Sequence, residues 1–354
     1  MTTTNLSDLH TELAIALSLL PPYLQQAAVD ALRNGKKITE LLDHPSFIAP
    51  LRSKRVTARE AMETASSLEL TIATIGAPNY PVQLLDLHTP PFVLFIKGQL
   101  PPWERSILSI VGSRSASVLT CQHTSQVAVT LADAGHVVAS GLALGIDGAS
   151  HRGALQSAQP GSTIAVLAHG LDTTYPRSHT LLAHQIVEQQ GALISEYTPG
   201  TQPLRHHFLA RNRIIAALAK TTIVSEAGER SGSLVTAQVA LDLGREVVVL
   251  TNPHSESLSE GSDRLISDGA ISVSTAEEIL SLLCTTSQST QPNPNRRVSK
   301  ETTIPLSELL RISNYSVGYL LQLELDGHLT RLPGNTVRIA NELFDKICLP
   351  SSEK

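Results

Sequence analysis

The feature that most constrains this chain is a change of rhythm near residue 106. From there to about residue 283, short apolar runs alternate with stretches of helical periodicity. The candidate strands are residues 107–111, 137–139, 163–168, 192–195, 222–225 and 246–250, and helical spacing fills 118–134, 145–158, 178–190, 211–219 and 234–243. Parallel strands need long crossover connections, and a helix after each strand supplies one. Helices on both faces of such a sheet explain why the strands read as continuous apolar runs. The expected fold is therefore α/β, a Rossmann-like doubly wound and mostly parallel sheet.

On either side of this segment the pattern differs. Leu9, Leu13, Ile15, Leu19 and Leu20, then Ala27, Val29 and Leu32, fall at helical spacing interrupted by Pro21 and Pro22, which predicts a small helical module over residues 1–68. An extended stretch with Tyr80-Pro81 and Pro90-Pro91 leads into the central domain, expected over 69–284. Residues 285–300 are polar, carry two prolines and have no apolar period, so they read as a flexible linker. Residues 301–354 spell helix, helix and a hairpin around Pro333-Gly334-Asn335, the pattern of a winged helix.

Composition narrows the function classes. Apolar runs such as 164–168 and 247–250 are far shorter than the ~18 to 20 residues that span a bilayer. Asp8 and Glu12 interrupt the place where a secretion signal needs an apolar core, so a cytoplasmic protein with no membrane partner is expected. Cys121, Cys284 and Cys348 lie far apart, which suits a reducing compartment and offers no zinc ligand pairs. The net charge of -5 means that any polyanion site must be a local concentration of cations. Between residues 101 and 280 there are 11 basic residues, all arginine except Lys220. Arginine matches phosphate oxygens bidentately, although GC-rich coding gives the same bias.

Several candidate strands end in Gly- or Ser-rich turns that open a helix. In an open parallel sheet these turns share the carboxyl edge, where helix N-termini present unpaired N–H groups to anions. They are Gly112-Ser113-Arg114, the run from Ser140 and Gly141 to Asp147, His169 to Asp172, and Gly228 to Thr236, which contains Ser231, Gly232 and Ser233. One such turn alone is as well explained by tight βα geometry; four together, with Arg114 among them, favour phosphate. Arg177 follows Tyr175-Pro176 near another strand end, and Phe208, Arg211, Asn212 and Arg213 crowd a helix start. Arg211 and Arg213 cannot share a helix face, so one is expected to face the site and the other to serve structure. Neither G-x-G-x-x-G nor G-x-x-x-x-G-K-[ST] occurs, so nucleotide hydrolysis and a dinucleotide cofactor lack support and no cofactor is expected. His206 and His207 are adjacent rather than one helical turn apart, which argues against a metal. Asp147, Asp172, Glu196 and Glu226 near strand ends read as caps and arginine partners rather than acid–base catalysts.

These motifs, in this order, resemble the bacterial DNA-processing protein A family. Val111 to Arg114, Ser140 to Ala143, Gly145-Ile146-Asp147, Gly170-Leu171-Asp172, Tyr175-Pro176, Ser195-Glu196-Tyr197, Arg211 to Ala216, Glu226-Ala227 and Arg230 to Leu234 carry the match. The resemblance implies a non-enzymatic protein that binds single-stranded DNA without sequence preference, dimerises, protects incoming DNA and loads the RecA recombinase onto it in natural transformation. It implies DNA contacts at Gly112, Ser113, Arg114 and Arg177, with Arg211, Asn212, Arg213 and Ser231 to Ser233 lining the same pocket; Gly141 of the second turn is counted with this site, and Phe208 is the candidate to stack on a base. It also implies that the N-terminal helices form a sterile-alpha-motif-like module. Departures fall at Leu144, Phe208-Leu209 and Asn252-Pro253. The expected recognition helix of the winged domain, 316–325, holds Glu324 and neither Lys nor Arg, which favours protein docking or weak duplex contact over groove reading. A nucleotide phosphoribohydrolase on a related fold is the enzymatic alternative, against which the P-G-G-x-G-T run of such enzymes is missing.

Overall fold

The computed structural model describes residues 6–102, 105–229, 231–252, 259–288, 301–305, 329–332 and 336–340. They fall into two compact units, one of residues 1–62, 74–93 and 292–354 and one of 63–73 and 94–291.

The first unit opens with helices α1 (Leu6–Ser18), α2 (Pro22–Arg33) and most of α3 (Pro45–Ser67). Leu13 to Leu17 on α1 are fully buried, and so is the Glu12 carboxylate beside them at 2% exposure. Arg55 and Arg59 of α3 both reach Glu12, Arg59 Nε donating to its Oε2 at 2.8 Å. Pro21 caps α2, which explains the interruption in the helical pattern.

The second unit is built on a nine-stranded sheet. In chain order its elements are β1 (Thr71–Thr74), β2 (Val93–Gly98), β3 (Ile107–Gly112), α4 (Val118–Asp133), β4 (Val137–Ser140), α5 (Ile146–Ala154), β5 (Thr163–Leu167), α6 (Thr180–Glu188), β6 (Ala192–Ser195), α7 (Arg205–Leu218), β7 (Thr221–Ser225), α8 (Gly232–Asp242), β8 (Glu246–Leu250), α9 (Glu260–Ser267), β9 (Ile271–Val273) and α10 (Ala276–Gln288). The strand order is β1-β2-β6-β5-β4-β3-β7-β8-β9. From β3 to β9 the pairings are parallel, while β2 runs antiparallel to β6. This is the expected α/β, Rossmann-like, mostly parallel sheet, with β1, β2 and β9 added to the strands legible in the sequence. Right-handed crossovers step leftward from β3 to β6 and rightward from β6 to β8, which puts α4 to α6 on one face and α7 and α8 on the other. Leu108, Ile110, Val138, Ile223 and Val248 of the sheet pack with Val127 and Leu131 of α4 and Ile279 of α10.

Two boundaries differ from expectation. Helix α7 begins at Arg205 rather than 211, so His206, His207 and Phe208 lie on its first turns. Helix α10 runs to Gln288, four residues into the stretch expected to be linker. At the C-terminus β10 (Glu301–Pro305), β11 (Leu329–Leu332) and β12 (Thr336–Ala340) form a three-stranded antiparallel sheet in the order β10-β12-β11. The β11–β12 pair is the expected hairpin; the helices expected before it, 316–325 included, lie outside the described residues.

Candidate nucleic-acid interface

The strand order reverses at β3, which lies between β4 and β7, and ligands of open α/β sheets bind at the carboxyl end of such a switch point. Gly112 ends β3 there. A Cβ at this position would sit 1.9 Å from the Ser225 carbonyl oxygen and 2.6 Å from Ile146 Cγ1, so glycine is demanded by the packing of β3 on β7 and α5. The next residue is pinned from both sides, Ser113 N donating to Glu226 O at 2.8 Å and Ser113 O accepting from Ile146 N at 3.1 Å. The turn therefore stands rigidly and lifts Arg114 into solvent.

Arg114 is held from one side by an aromatic ring. Its guanidinium carbon lies 5.0 Å from the centroid of Phe208, on the first turns of α7. Such a cation–π contact is worth about 0.5 to 1 kcal/mol at an exposed site. The Phe208 ring in turn meets Tyr175, from the loop after β5, at 5.6 Å and 57°. Arg177 follows two residues later, exposed, and its guanidinium makes no hydrogen bond or ion pair among the described residues. Two loops and the start of α7 thus bring two exposed cations and two rings to one edge.

Beneath this edge lies a buried charge pair. Arg211 is 3% exposed, with Nη1 donating to Gly141 O at 2.9 Å and to Val166 O. Asp147, 8% exposed, accepts from the Gly141 and Ala143 amides at 3.2 and 3.4 Å. Gly141 is squeezed between them, since a Cβ there would come within 2.4 Å of Arg211 Nη2 and 2.7 Å of Asp147 Oδ2. Burial lowers the Arg211 pKa to about 10, opposed by the Asp147 charge, so the side chain stays cationic at neutral pH. Burial likewise raises the Asp147 carboxyl, opposed by Arg211 and the surrounding donors.

Helix α7 carries Arg211, Ile214, Ile215 and Leu218 on its buried face. Arg211 is accordingly a strut under the loop after β4 and not an exposed contact. Arg213 does not take its place, because it pairs with Glu196 at the end of β6. Burial raises the Glu196 carboxyl, and Arg213 opposes that rise. Both arginines are thus engaged within the protein. Asn212 donates from Nδ2 to Gly232 O at 3.1 Å and ties α7 to the start of α8. Ser231 caps α8 by accepting from Ser233 N at 3.3 Å, and Ser233 itself is buried. Gly232 differs from the other two glycines, since a Cβ there would meet nothing nearer than Asn212 Nδ2 at 3.6 Å. Arg230 lies outside the described residues.

The other two edge carboxylates are occupied. The Asp172 carboxylate accepts from Gly200 N at 2.6 Å, and Glu226 Oε2 accepts from Ser117 N at 3.4 Å, at the start of α4. His207 stacks on Tyr197 at 4.2 Å, and no group of three metal-ligating side chains occurs among the described residues. A cavity of about 260 Å³ lined by Leu155, Ser157, Gln159 and Gln190 lies at the opposite end of the strands, away from the cations. Tyr175 escaped the sequence reading, where it served only as a marker for Arg177. The available signal was an aromatic between a strand end and a cation.

The sequence matches the family described as DNA recombination-mediator protein A over residues 71–284. It is 37% identical over 325 residues to the protein Smf of Escherichia coli, covering 82% of this chain and 86% of that one. The DNA processing protein DprA of Streptococcus pneumoniae is 41% identical over 201 residues, 57% of this chain and 70% of that protein. The X-ray structure of the Streptococcus pneumoniae DprA superposes with a TM-score of 0.59 at 31% identity, covering 73% of this chain and 96% of that one. A Helicobacter pylori DNA processing protein A structure, described for its single-stranded DNA binding mode, gives a TM-score of 0.54 at 29% identity over 61% of this chain and 97% of that one. No helix among the described residues is long and apolar enough to cross a membrane.

Proposed function

Because this chain belongs to the DNA recombination-mediator protein A family, we propose that it binds single-stranded DNA along the carboxyl edge of its sheet and processes DNA in transformation and recombination. The observation that carries the site is the pair of exposed arginines, Arg114 and Arg177, on neighbouring loops with aromatic rings between them. Phosphates meet the arginines and the amides at the α8 N-terminus, contacts that are blind to sequence. Family membership carries the further reading that the protein acts as a homodimer, protects incoming strands and loads RecA onto them.

Binding without catalysis is favoured by the state of the edge carboxylates. Asp147, Asp172, Glu196 and Glu226 each hold an amide or an arginine of the protein itself, so a phosphoribohydrolase reading has to take its acid or base from a group with a structural task.

The deciding experiment is fluorescence anisotropy of a labelled oligothymidine over a salt series with duplex competitor. Tight binding that resists duplex and loses about 0.7 in log–log salt slope per phosphate contact is expected, and Arg114→Ala removes about one contact's share. Failure to bind the oligomer, with binding or cleavage of a nucleoside monophosphate, overturns the reading in favour of the enzyme.

A further inference from the structure

Resting on the reading of this edge as a single-strand site, we infer that Tyr175 is the platform on which an unpaired base stacks, while Phe208 positions Arg114 and Tyr175 rather than touching the base. The argument turns on which ring faces are free. Phe208 is half-buried, its ring lies beneath the Arg114 guanidinium at 5.0 Å, and Tyr175 contacts it from another side. Tyr175 is 46% exposed, and its contact with Phe208 is tilted by 57°, a geometry that leaves a face of the tyrosine ring uncovered. A large ring that leaves nearly half of its surface open at a ligand edge gives up much of the burial it could gain, so folding alone does not account for its placement.

Its neighbours fix the chemistry of the occupant. Arg177 stands two residues along the chain from Tyr175, and Arg114 lies over the Phe208 ring that Tyr175 contacts, so the open ring has two exposed cations for neighbours, neither of them in an ion pair among the described residues. A strand whose phosphates meet both arginines presents its intervening base to Tyr175. Every base has a π face, so this contact is tolerant of sequence, and a paired base in a duplex has its faces already stacked. The ligand class that satisfies cations and ring together is an unpaired polynucleotide, and Tyr175 becomes a determinant of single-strand over duplex preference.

The test compares labelled oligothymidine with an abasic strand of the same length, for wild type, Tyr175→Ala, Tyr175→Leu and Phe208→Leu, with thermal melts to establish folding. Wild type is expected to bind the oligothymidine about tenfold more tightly than the abasic strand. Tyr175→Ala and Tyr175→Leu should erase that difference while leaving abasic affinity and salt slope unchanged, because Tyr175 and the base act as a pair. The leucine variant keeps apolar bulk without a π face, so it decides the matter should the alanine variant unfold. Phe208→Leu should instead weaken both strands and flatten the salt slope through Arg114. Equal wild-type affinity for the two strands overturns the inference and leaves a backbone-binding site, as does a Tyr175 variant that weakens both strands alike. Failure of wild type to bind either strand overturns the single-strand reading itself.

Discussion

Glycines that look alike in the sequence have different tasks at the carboxyl edge. Gly112 has a carbonyl 1.9 Å from where a Cβ would stand, whereas Gly232 has only ordinary contacts at 3.6 and 3.8 Å. Gly112→Ala is therefore expected to cost at least about 3 kcal/mol, read as a drop in urea midpoint, because backbone has to move. Gly232→Ala should raise stability by up to about 1 kcal/mol by restricting the unfolded chain, yet weaken oligothymidine binding severalfold by crowding the amides at the start of α8. If both variants behave alike, packing is not what separates them. A comparable lesson comes from Arg211. Its spacing with Ile214, Ile215 and Leu218 marks one helix face, and that face is buried. The signal was in the sequence, but an arginine beside glycine-rich turns invites a phosphate reading, and only the structure shows the carbonyls of Gly141 and Val166 waiting inside. Arg211→Met should cost about 3 to 5 kcal/mol, since it leaves Asp147 buried without its counter-charge. A melt unchanged from wild type would show that the pair is dispensable.

Elements were legible where their periodicity was long and their strands were apolar. Strands β3 to β8 fit that description, whereas β9 has three residues and β1 and β2 are separated by a stretch rich in proline turns. The early start of α7 was hidden because Arg205, His206 and His207 carry no apolar period; the segment is helical where Phe208 and Tyr197 contacts anchor it. Pairing between elements was the least readable level, as with α1 and α3, joined by Glu12 to Arg55 and Arg59 across more than forty residues. Burial alone would raise the Glu12 carboxyl, but the two arginines outweigh burial and hold it below its ordinary value. The unfolded chain then takes up a proton at higher pH than the folded one, so this contribution is present above the ordinary carboxylate pKa near ~4.3 and is lost as pH falls below it. Glu12→Gln should cost about 1 to 2 kcal/mol at neutral pH, with the gap to wild type closing as acid is added. Melts that stay equally far apart across the acid range would assign the loss to packing instead.

At the scale of the molecule, the proposed site confines a chain of net charge -5 to one edge for engaging a polyanion, and on that reading its grip on a long strand depends on how many edges act together. The sheet ends at β9, a three-residue edge strand with Ile271 49% exposed and Leu265 and Ile266 of α9 half-buried close by in sequence. An exposed edge with an apolar side chain is a surface that pairs with a second copy unless something blunts it, and brevity is the only such device among the described residues of β9. On the dimer reading, Ile271→Asp should convert the protein to a monomer in sedimentation experiments, a monomer that still unfolds cooperatively but at a temperature lowered by the loss of association. Arg114, Arg177 and Tyr175 lie in the loops after β3 and β5, away from β9 in the strand order, so affinity for a strand short enough to occupy one edge should be unchanged. A strand long enough to reach two edges should lose its avidity, by about a hundredfold or more where both edges had been engaged. A variant that remains dimeric places the interface elsewhere. A monomer that keeps its grip on long strands means that the two edges never acted on one strand, and that dimerisation serves something other than DNA affinity.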